Sequence, residues 1–380
     1  MTHAVITGTG LYTPPNAIDN ATLVASFNTW VERENARHHE AIRDGHREPL
    51  EHSSSEFIVK ASGIHSRYVV EAAGILDPDR MRPQLAPRAN DELCVQAEMG
   101  LEAARQALSN AQVTPDALDM VIVACSNLQR AYPAIAVELQ AALGAGGHAF
   151  DMNVACSSAT FAIDVANNTI RAGSARRVLV VSPEICSAHL NFRDRDSHFI
   201  FGDACTAVVV EADDVARAAE RFEIISTRLV TRFSNAIRNN FGFLDRVTEH
   251  GVDAEPAFVA DKLFVQEGRQ VFKEVCPLVV ELISVHLEAE NVVPDDLERL
   301  WLHQANRHMN DLIARRVLGH APSEGEAPVI LDRYANTSSA GSIIAFHLHR
   351  HDLAVGDIGV VCSFGAGYSA GNILLRKVQA

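Results

Sequence analysis

The sequence predicts an α/β fold made of two duplicated halves, and three observations predict it. Short β-branched runs recur along the chain, at AVITGTG, DMVIVAC, RRVLVVS, TAVVVE, EIISTRLV, RLWLHQ and GDIGVVCSF, each rich in residues that suit a pleated, buried surface. Between several of them lie longer stretches with apolar residues at helical spacing, and strands alternating with helices define the α/β class. The third observation is an internal echo. Pro115-Asp-Ala-Leu-Asp-Met-Val-Ile-Val-Ala-Cys-Ser-Asn127 and Pro294-Asp-Asp-Leu-Glu-Arg-Leu-Trp-Leu-His-Gln-Ala-Asn306 share length, ends and hydrophobic pattern at an offset of 179 residues. Nearly the same offset carries Cys156 and its following helix onto Asn336 and its following helix. A period this long is no solenoid repeat. It predicts two similar α/β units packed together, with sites where equivalent strand and helix ends meet.

The N-terminal half is drawn at residues 1–215 and the C-terminal half at 216–380. AVITGTG is a strand whose Gly8-Thr-Gly10 is a truncated dinucleotide fingerprint; without a third glycine and a following helix it reads as a turn. Residues 31–56, rich in charge and His, and residues 75–90, with three prolines, read as inserted surface excursions, the first with room for a short helix. The clearest helices are ELCVQAEMGLEAARQALSNA, SSATFAIDVANNTIRAG, VQEGRQVFKEVCPLVVELISVHLEAE, NDLIARRVLG and SIIAFHLHRH. His347, His349 and His351 stand near the end of the last, where only the first and third share a face. They read as a solvated helix terminus, and no metal is expected.

A chain of 380 residues, 47% hydrophobic and 21% charged, can bury a sizeable core. The N-terminus has no basic region ahead of an apolar stretch, and the apolar runs fall short of the roughly 20 residues that span a bilayer. The expectation is a soluble, cytoplasmic protein. A formal charge of −15 argues against a general nucleic-acid or membrane-surface binder, since those collect phosphates with a broad positive field. An acidic partner would need a local basic patch. Seven cysteines, odd in number and without a CxxC pair, read as reduced thiols.

Six of those cysteines fit the habit of small buried hydrophobes. Cys156 differs, because Asn153-Val-Ala-Cys-Ser-Ser-Ala-Thr-Phe161 places it where an apolar segment meets a helix start. Unpaired N–H groups and the positive end of the helix dipole favour thiolate there, which would make Cys156 a nucleophile. His303 follows the apolar run Leu300-Trp-Leu302, at the strand end where open α/β sheets place active groups. Asn336 lies in Tyr334-Ala-Asn-Thr-Ser-Ser-Ala-Gly341, the loop that the echo equates with that of Cys156. Ser363-Phe-Gly-Ala-Gly-Tyr-Ser-Ala-Gly371 reads as a glycine-rich loop suited to donating N–H groups to an oxyanion; the bland alternative is a tight hairpin. Its Gly367-Tyr-Ser-Ala-Gly371 matches a serine-hydrolase elbow, but neither an acid nor a His follows, and that reading is rejected.

In order and spacing, the Cys156 segment, Phe201-Gly-Asp203, His303-Gln-Ala-Asn306, Asn336-Thr-Ser338 and Phe364-Gly-Ala-Gly367 resemble the ketoacyl synthase III group of the thiolase superfamily. The resemblance covers most of the chain. It implies a thiolase-like duplicated αβαβα layered fold, a homodimer, and a Cys156, His303 and Asn336 triad at the base of a tunnel that admits a pantetheine arm. The reaction it implies joins an acyl-CoA primer to malonyl-ACP, in fatty acid synthesis, through an acyl-Cys156 intermediate. The N–H groups of Cys156 and Ala366 would form the oxyanion hole, and acyl-CoA and malonyl-ACP would be substrates, with no cofactor.

Departures from the family pattern shape the remaining expectations. Where the family has W-x-x-x-R-T-G-I around the CoA adenine, this chain reads Phe57-Ile-Val-Lys-Ala61-Ser-Gly-Ile64. Phe57, Lys60 and Arg195 are therefore the implied CoA contacts. Phe161 after the nucleophile, Tyr132 reaching in from a partner subunit, and the inserted segment point to an acyl tunnel for a primer longer than acetyl. Lys273, Arg307, Arg315 and Arg316 fall at the family's basic positions for acyl carrier protein, meaningful against a chain of such negative charge. Degradative thiolase chemistry would need a second cysteine, but aligning the glycines puts Ser363 at that place and turns Cys362 to the other face. Two alternatives stay open: a condensing enzyme of secondary metabolism making ketones, pyrones or quinolones, and a non-catalytic acyl-binding partner subunit.

Overall fold

The computed structural model describes residues 2–247 and 262–379. Thirteen strands are present among them: β1 (Ala4–Tyr12), β2 (Asn16–Asp19), β3 (Ser66–Val69), β4 (Met120–Ala124), β5 (His148–Met152), β6 (Arg177–Ile185), β7 (Asp203–Ala212), β8 (Arg221–Ser234), β9 (Ile237–Asn239), β10 (Phe264–Gln266), β11 (Leu297–Leu302), β12 (Ile358–Gly365) and β13 (Gly367–Val378). Every strand-like run in the sequence is a strand here. Nine of them hydrogen-bond in the order β11-β12-β13-β8-β1-β7-β6-β4-β5. The internal echo appears in the pairing: β4 to β6 is parallel and β6 to β7 to β1 antiparallel, while β11 to β12 is parallel and β12 to β13 to β8 antiparallel. Both copies of the echoed Pro-Asp segment form a short 3-10 turn feeding the strand.

Where the two half-sheets join, β1 and β8 pair through two residue pairs, Val5 with Glu223 and Ile6 with Phe222. Between them lie the helices Ser158–Arg171 and Ala340–Leu348, whose Ile163, Ile343 and Phe346 pack with Val180 and Val208 of one half-sheet and Val361 and Ile373 of the other. On the outer faces, the helices Val95–Ala111 and Ile135–Leu143 cover Leu179 and Val181, and Gly268–Ala289 and Arg307–Leu318 cover Val360 and Cys362. Alternate residues of β6 and β12 thus enter different cores, as strands buried on both faces must. The resulting order of layers is αβαβα.

Two segments depart from expectation. Most of 31–56 lies at the surface, with a short helix at His39–Arg43 that buries no residue and with only Val31 and Ser53 buried, but its start is no excursion. An 18-residue helix, Asn20–Arg37, begins earlier, N-capped by Asp19, whose carboxylate accepts from Thr22 N at 2.7 Å. Leu23, Phe27 and Val31, four residues apart, form a narrow buried stripe against Ile58, Ile64, Ile75 and Phe199, and so few apolar positions among polar neighbours hide the helix from a periodicity reading. The chain then doubles back along it: Asn28 and Asn35 each exchange paired hydrogen bonds with the backbone of Ser53 and Leu50, at 2.9–3.1 Å. Of 75–90, Ile75 and Met81 join the same core, and the exposed stretch begins only after them.

The His347 cluster is a second correction. His347 Nδ1 pairs with Thr9 Oγ1 at 2.8 Å, and Arg350 is buried against Glu220 at 2.9 Å. Only His351 is exposed, because the helix end packs on β1 instead of facing water. Among the described residues, no helix is long and apolar enough to cross a membrane.

Candidate active site

The two central helices deliver the site, because the chain enters each through a similar bend. Ala155 (φ 48°) precedes Cys156 and Ala335 (φ 55°) precedes Asn336, left-handed conformations that cost a non-glycine residue of order 1–3 kcal/mol and persist only where surroundings enforce them. At the first bend, Ala155 N donates to Asn153 Oδ1 and Val154 N to Ser158 Oγ, both at 2.8 Å. The second is docked on the start of β7: Asn336 N donates to Ile200 O at 2.9 Å and Gly202 N to Asn336 O at 3.1 Å. A side chain at Gly202 would lie 2.3 Å from Tyr334 O, so the Phe201-Gly-Asp203 motif needs its glycine for close approach. Asp203 fixes that corner, accepting from Ser187 N, Ser187 Oγ and Val70 N at 2.7–2.9 Å. Burial pushes its carboxyl up to about 6.

Cys156 alone of the seven cysteines is not fully buried. The expected thiolate is not its resting form: the protein packed around the sulfur pushes the thiol up to about 11, outweighing the nearby Ser338 hydroxyl and the N–H groups of Ala366 and Cys156 itself, which favour the thiolate. Desolvation outweighs the helix terminus. Ser338 holds the rest together. Its hydroxyl, buried without a hydrogen-bond partner among the described residues, lies near Cys156; its carbonyl lies near the His303 imidazole; its N–H donates to Asn336 Oδ1 at 2.8 Å. One residue therefore lies beside all three predicted catalytic groups. Its φ of 50° lets the backbone turn both ways, and only its place in Asn336-Thr-Ser338 hinted at it.

His303 caps β11, donating its N–H to Cys362 O at 2.7 Å, with its ring edge-on to Phe364 at 5.2 Å. It is 1% exposed, and burial drives the imidazole down to about 4, so it is neutral near pH 7. Its Nδ1 has no hydrogen-bond partner among the described residues. The remaining letters of the His303 motif are braces. Gln304, fully buried, accepts from Ile330 N and Leu331 N at 3.0 and 3.2 Å, and Asn306 caps the next helix while donating to Ala61 O at 2.8 Å.

The glycine-rich loop is instead a tight hairpin. β12 runs to Gly365 and β13 starts at Gly367, leaving Ala366 alone at the turn, with its N–H on the Cys156 sulfur. A Cβ at Gly365 would stand 2.9 Å from that sulfur, so the strand end must be bare to pass the nucleophile. Cys362 is wholly buried and its thiol pushed far up.

Two of the implied CoA contacts, Phe57 and Arg195, touch, and the third, Lys60, shares the helix of Phe57. The Arg195 guanidinium stacks on the Phe57 ring at 4.2 Å, and its Nε donates to His52 O at 2.8 Å; Lys60 is exposed on the Phe57 helix. Residues Glu51 and His52 of the doubled-back segment thus hold the arginine against the phenyl ring. Phe161 is partly buried on the nucleophile helix, and Tyr132 is 85% exposed. Lys273, Arg307, Arg315 and Arg316 are all exposed on the packed helices Gly268–Ala289 and Arg307–Leu318, with Arg307 facing Asp311 at 3.7 Å.

Five layers, a cysteine and an asparagine at matched helix starts and a histidine between them define a thiolase-fold condensing enzyme. The family description 3-oxoacyl-[acyl-carrier-protein] synthase III matches residues 150–232, and its C-terminal counterpart residues 287–377. The beta-ketodecanoyl-[acyl-carrier-protein] synthase of Pseudomonas aeruginosa is 60% identical over 352 residues, 93% of this chain and 99% of its own. The crystal structure of 3-oxoacyl-[acyl-carrier-protein] synthase III from Aquifex aeolicus superposes with a TM-score of 0.74 at 26% identity, over 99% of this chain and 100% of that one. The priming beta-ketosynthase of the R1128 polyketide pathway gives 0.77 at 25% identity, over 99% and 97%. The chain belongs to the 3-oxoacyl-[acyl-carrier-protein] synthase III family of condensing acyltransferases.

Proposed function

We propose that this chain, as a cytoplasmic homodimer of 1–215 and 216–380 halves, condenses an eight-carbon acyl-CoA primer with malonyl-ACP. The observation that carries the activity is the convergence of Cys156, His303 and Asn336 on Ser338. Primer length follows from the relative's name: a β-ketodecanoyl product has ten carbons, and a malonyl unit that loses carbon dioxide adds two of them. The Cys156 sulfur attacks the primer thioester, and the N–H groups of Cys156 and Ala366 hold the tetrahedral oxyanion. Coenzyme A leaves with the proton that Cys156 gives up. When malonyl-ACP then loses carbon dioxide, charge moves to its thioester oxygen, where neutral His303 and the Asn336 amide donate hydrogen bonds. Because Ser338 N–H occupies Asn336 Oδ1, the Nδ2 hydrogens are free for that oxygen. The enolate carbon attacks acyl-Cys156 and expels the sulfur as thiolate, which takes up a proton from solvent to restore the thiol. No step calls for a metal or prosthetic group.

Turnover across acyl-CoA primers of two to twelve carbons, with peptide mapping of the acyl adduct, tests the reading. The expected result is an optimum at eight carbons and an adduct on Cys156. An acetyl optimum would overturn the primer assignment, and label on Cys186 or Cys362 would overturn the nucleophile.

A further inference from the structure

At the end of β6, Glu184 is 1% exposed and plays no part in the chemistry above. Its Oε1 accepts from Ser126 N at 3.0 Å, from Ser339 N at 3.1 Å and from Ser339 Oγ; its Oε2 accepts from Ser126 Oγ at 2.5 Å. Two of these donors are backbone N–H groups that cannot accept, and with the hydroxyls and the Cys186 thiol at 3.9 Å they match the acceptor-only ionised form. They come from opposite halves. Ser126 follows β4, and its carbonyl accepts from Asn153 Nδ2 at 2.8 Å; Asn153 Oδ1 in turn fixes Ala155 N, one residue before the nucleophile. Ser339 directly follows Ser338, the residue that meets Cys156, His303 and Asn336, and its hydroxyl also reaches Ala124 O at 3.3 Å. One buried carboxylate therefore spans the approach to the Cys156 bend and the far side of the Asn336 loop.

We propose that Glu184 is a positioning residue that clamps the Asn336–Ser338 loop to the Cys156 bend, so that sulfur, imidazole and amide stay in register through both half-reactions. The proposal rests on the triad reading above. Glu184 joins the two bends through hydrogen bonds of a single side chain, and an enolate formed on one loop must meet an acyl carbon held on the other. A misplacement of about 1 Å between such groups costs on the order of 100-fold in rate. Glutamine is a weaker substitute, because its NH2 reverses the sense of the Ser126 Oγ bond and it brings no charge to the Ser126 and Ser339 N–H groups. The carboxylate also lies close enough to Cys156 for its charge to oppose thiolate formation, which gives the clamp a signature beyond rate.

The test compares wild type, Glu184→Gln and Ser339→Ala for condensation kinetics with malonyl-ACP, and follows alkylation of Cys156 by iodoacetamide against pH. Glu184→Gln should lower kcat on the order of 10- to 100-fold with KM little changed, and its alkylation profile should move to lower pH because the opposing charge is gone. Ser339→Ala, which keeps the carboxylate and the backbone N–H bond to it but removes the hydroxyl contact, should lower kcat with the profile in place. Wild-type kcat in either variant overturns the proposal. So does a loss in Glu184→Gln with an unmoved profile or a parallel rise in KM, which would mean general loosening. If Glu184→Gln fails to fold, Ser339→Ala decides. Failure of the triad reading is seen separately, as a wild-type enzyme that neither takes an acyl group on Cys156 nor decarboxylates malonyl-ACP.

Discussion

At the residue scale, the site holds a neutral thiol beside a neutral imidazole, since burial pushes Cys156 up to about 11 and His303 down to about 4. Both shifts have one cause, the removal of water from a site enclosed by strand ends, and both oppose a thiolate–imidazolium pair of the kind that papain-like proteases use. His303 is thus a hydrogen-bond donor at neutral pH, suited to an oxygen that becomes negative during the reaction and not before. His303→Ala and Asn336→Ala should each reduce decarboxylation of malonyl-ACP on the order of 10²- to 10³-fold, with much smaller losses in primer loading. Single-turnover measurement of the two half-reactions checks this; wild-type decarboxylation by either variant would remove that residue from the enolate site. Cys156, His303 and Asn336 were recognisable in the sequence as candidates because each sits in a short motif at an element end. Ser338 and Glu184 were not, since a buried serine and a buried glutamate acquire meaning only when distant loops are brought into contact.

At the element scale, helices carry the contacts and strands carry the register. Lys273, Arg315 and Arg316 project from two helices that share one hydrophobic core, so their spacing is set by packing and not by the charges themselves. Exposed charge pairs at a rim act mainly on association and are screened within about 8 Å at physiological salt. Reversing Arg315 and Arg316 to Glu should raise KM for malonyl-ACP about tenfold at low salt and flatten its salt dependence, while loading from acyl-CoA changes little. Steady-state kinetics with malonyl-ACP and malonyl-CoA at two salt concentrations decide it, because equal losses with both donors would assign the patch to CoA. The same scale explains the errors of sequence reading. The helix Asn20–Arg37 buries a one-residue-wide stripe, and β13 is punctuated by Gly367 and Gly371, where a side chain on Gly371 would stand 2.3 Å from Thr160 Oγ1. Both patterns reflect neighbours that are remote in the chain.

For the whole molecule, duplication was visible in the sequence, and the five layers came with the family resemblance. The relative placement of the halves rests on contacts no local pattern encodes, such as the two-pair junction of β1 with β8. Packing this many titratable groups inside sets an acid limit. Burial lowers His189, His198, His303 and His347 to about 4, and lowers His286 and His349 as well. Unfolded, these rings bind protons below about 6.5, so stability they leave intact at neutral pH is lost as pH falls from 6.5 toward 4. Three buried carboxylates, Glu184, Asp203 and Glu211, are raised and act in the opposite sense, but six histidines outweigh them. The melting temperature should therefore drop between pH 6.5 and 4, and a flat or rising profile in calorimetry would contradict the balance. A different tension is built into the paired bends at Ala155 and Ala335. Anyone selecting this protein for heat resistance would find glycine favoured at both positions, because it adopts their backbone without strain. The same exchange would loosen the mounts of the nucleophile and of its partner amide, so hardiness and turnover pull in opposite directions there.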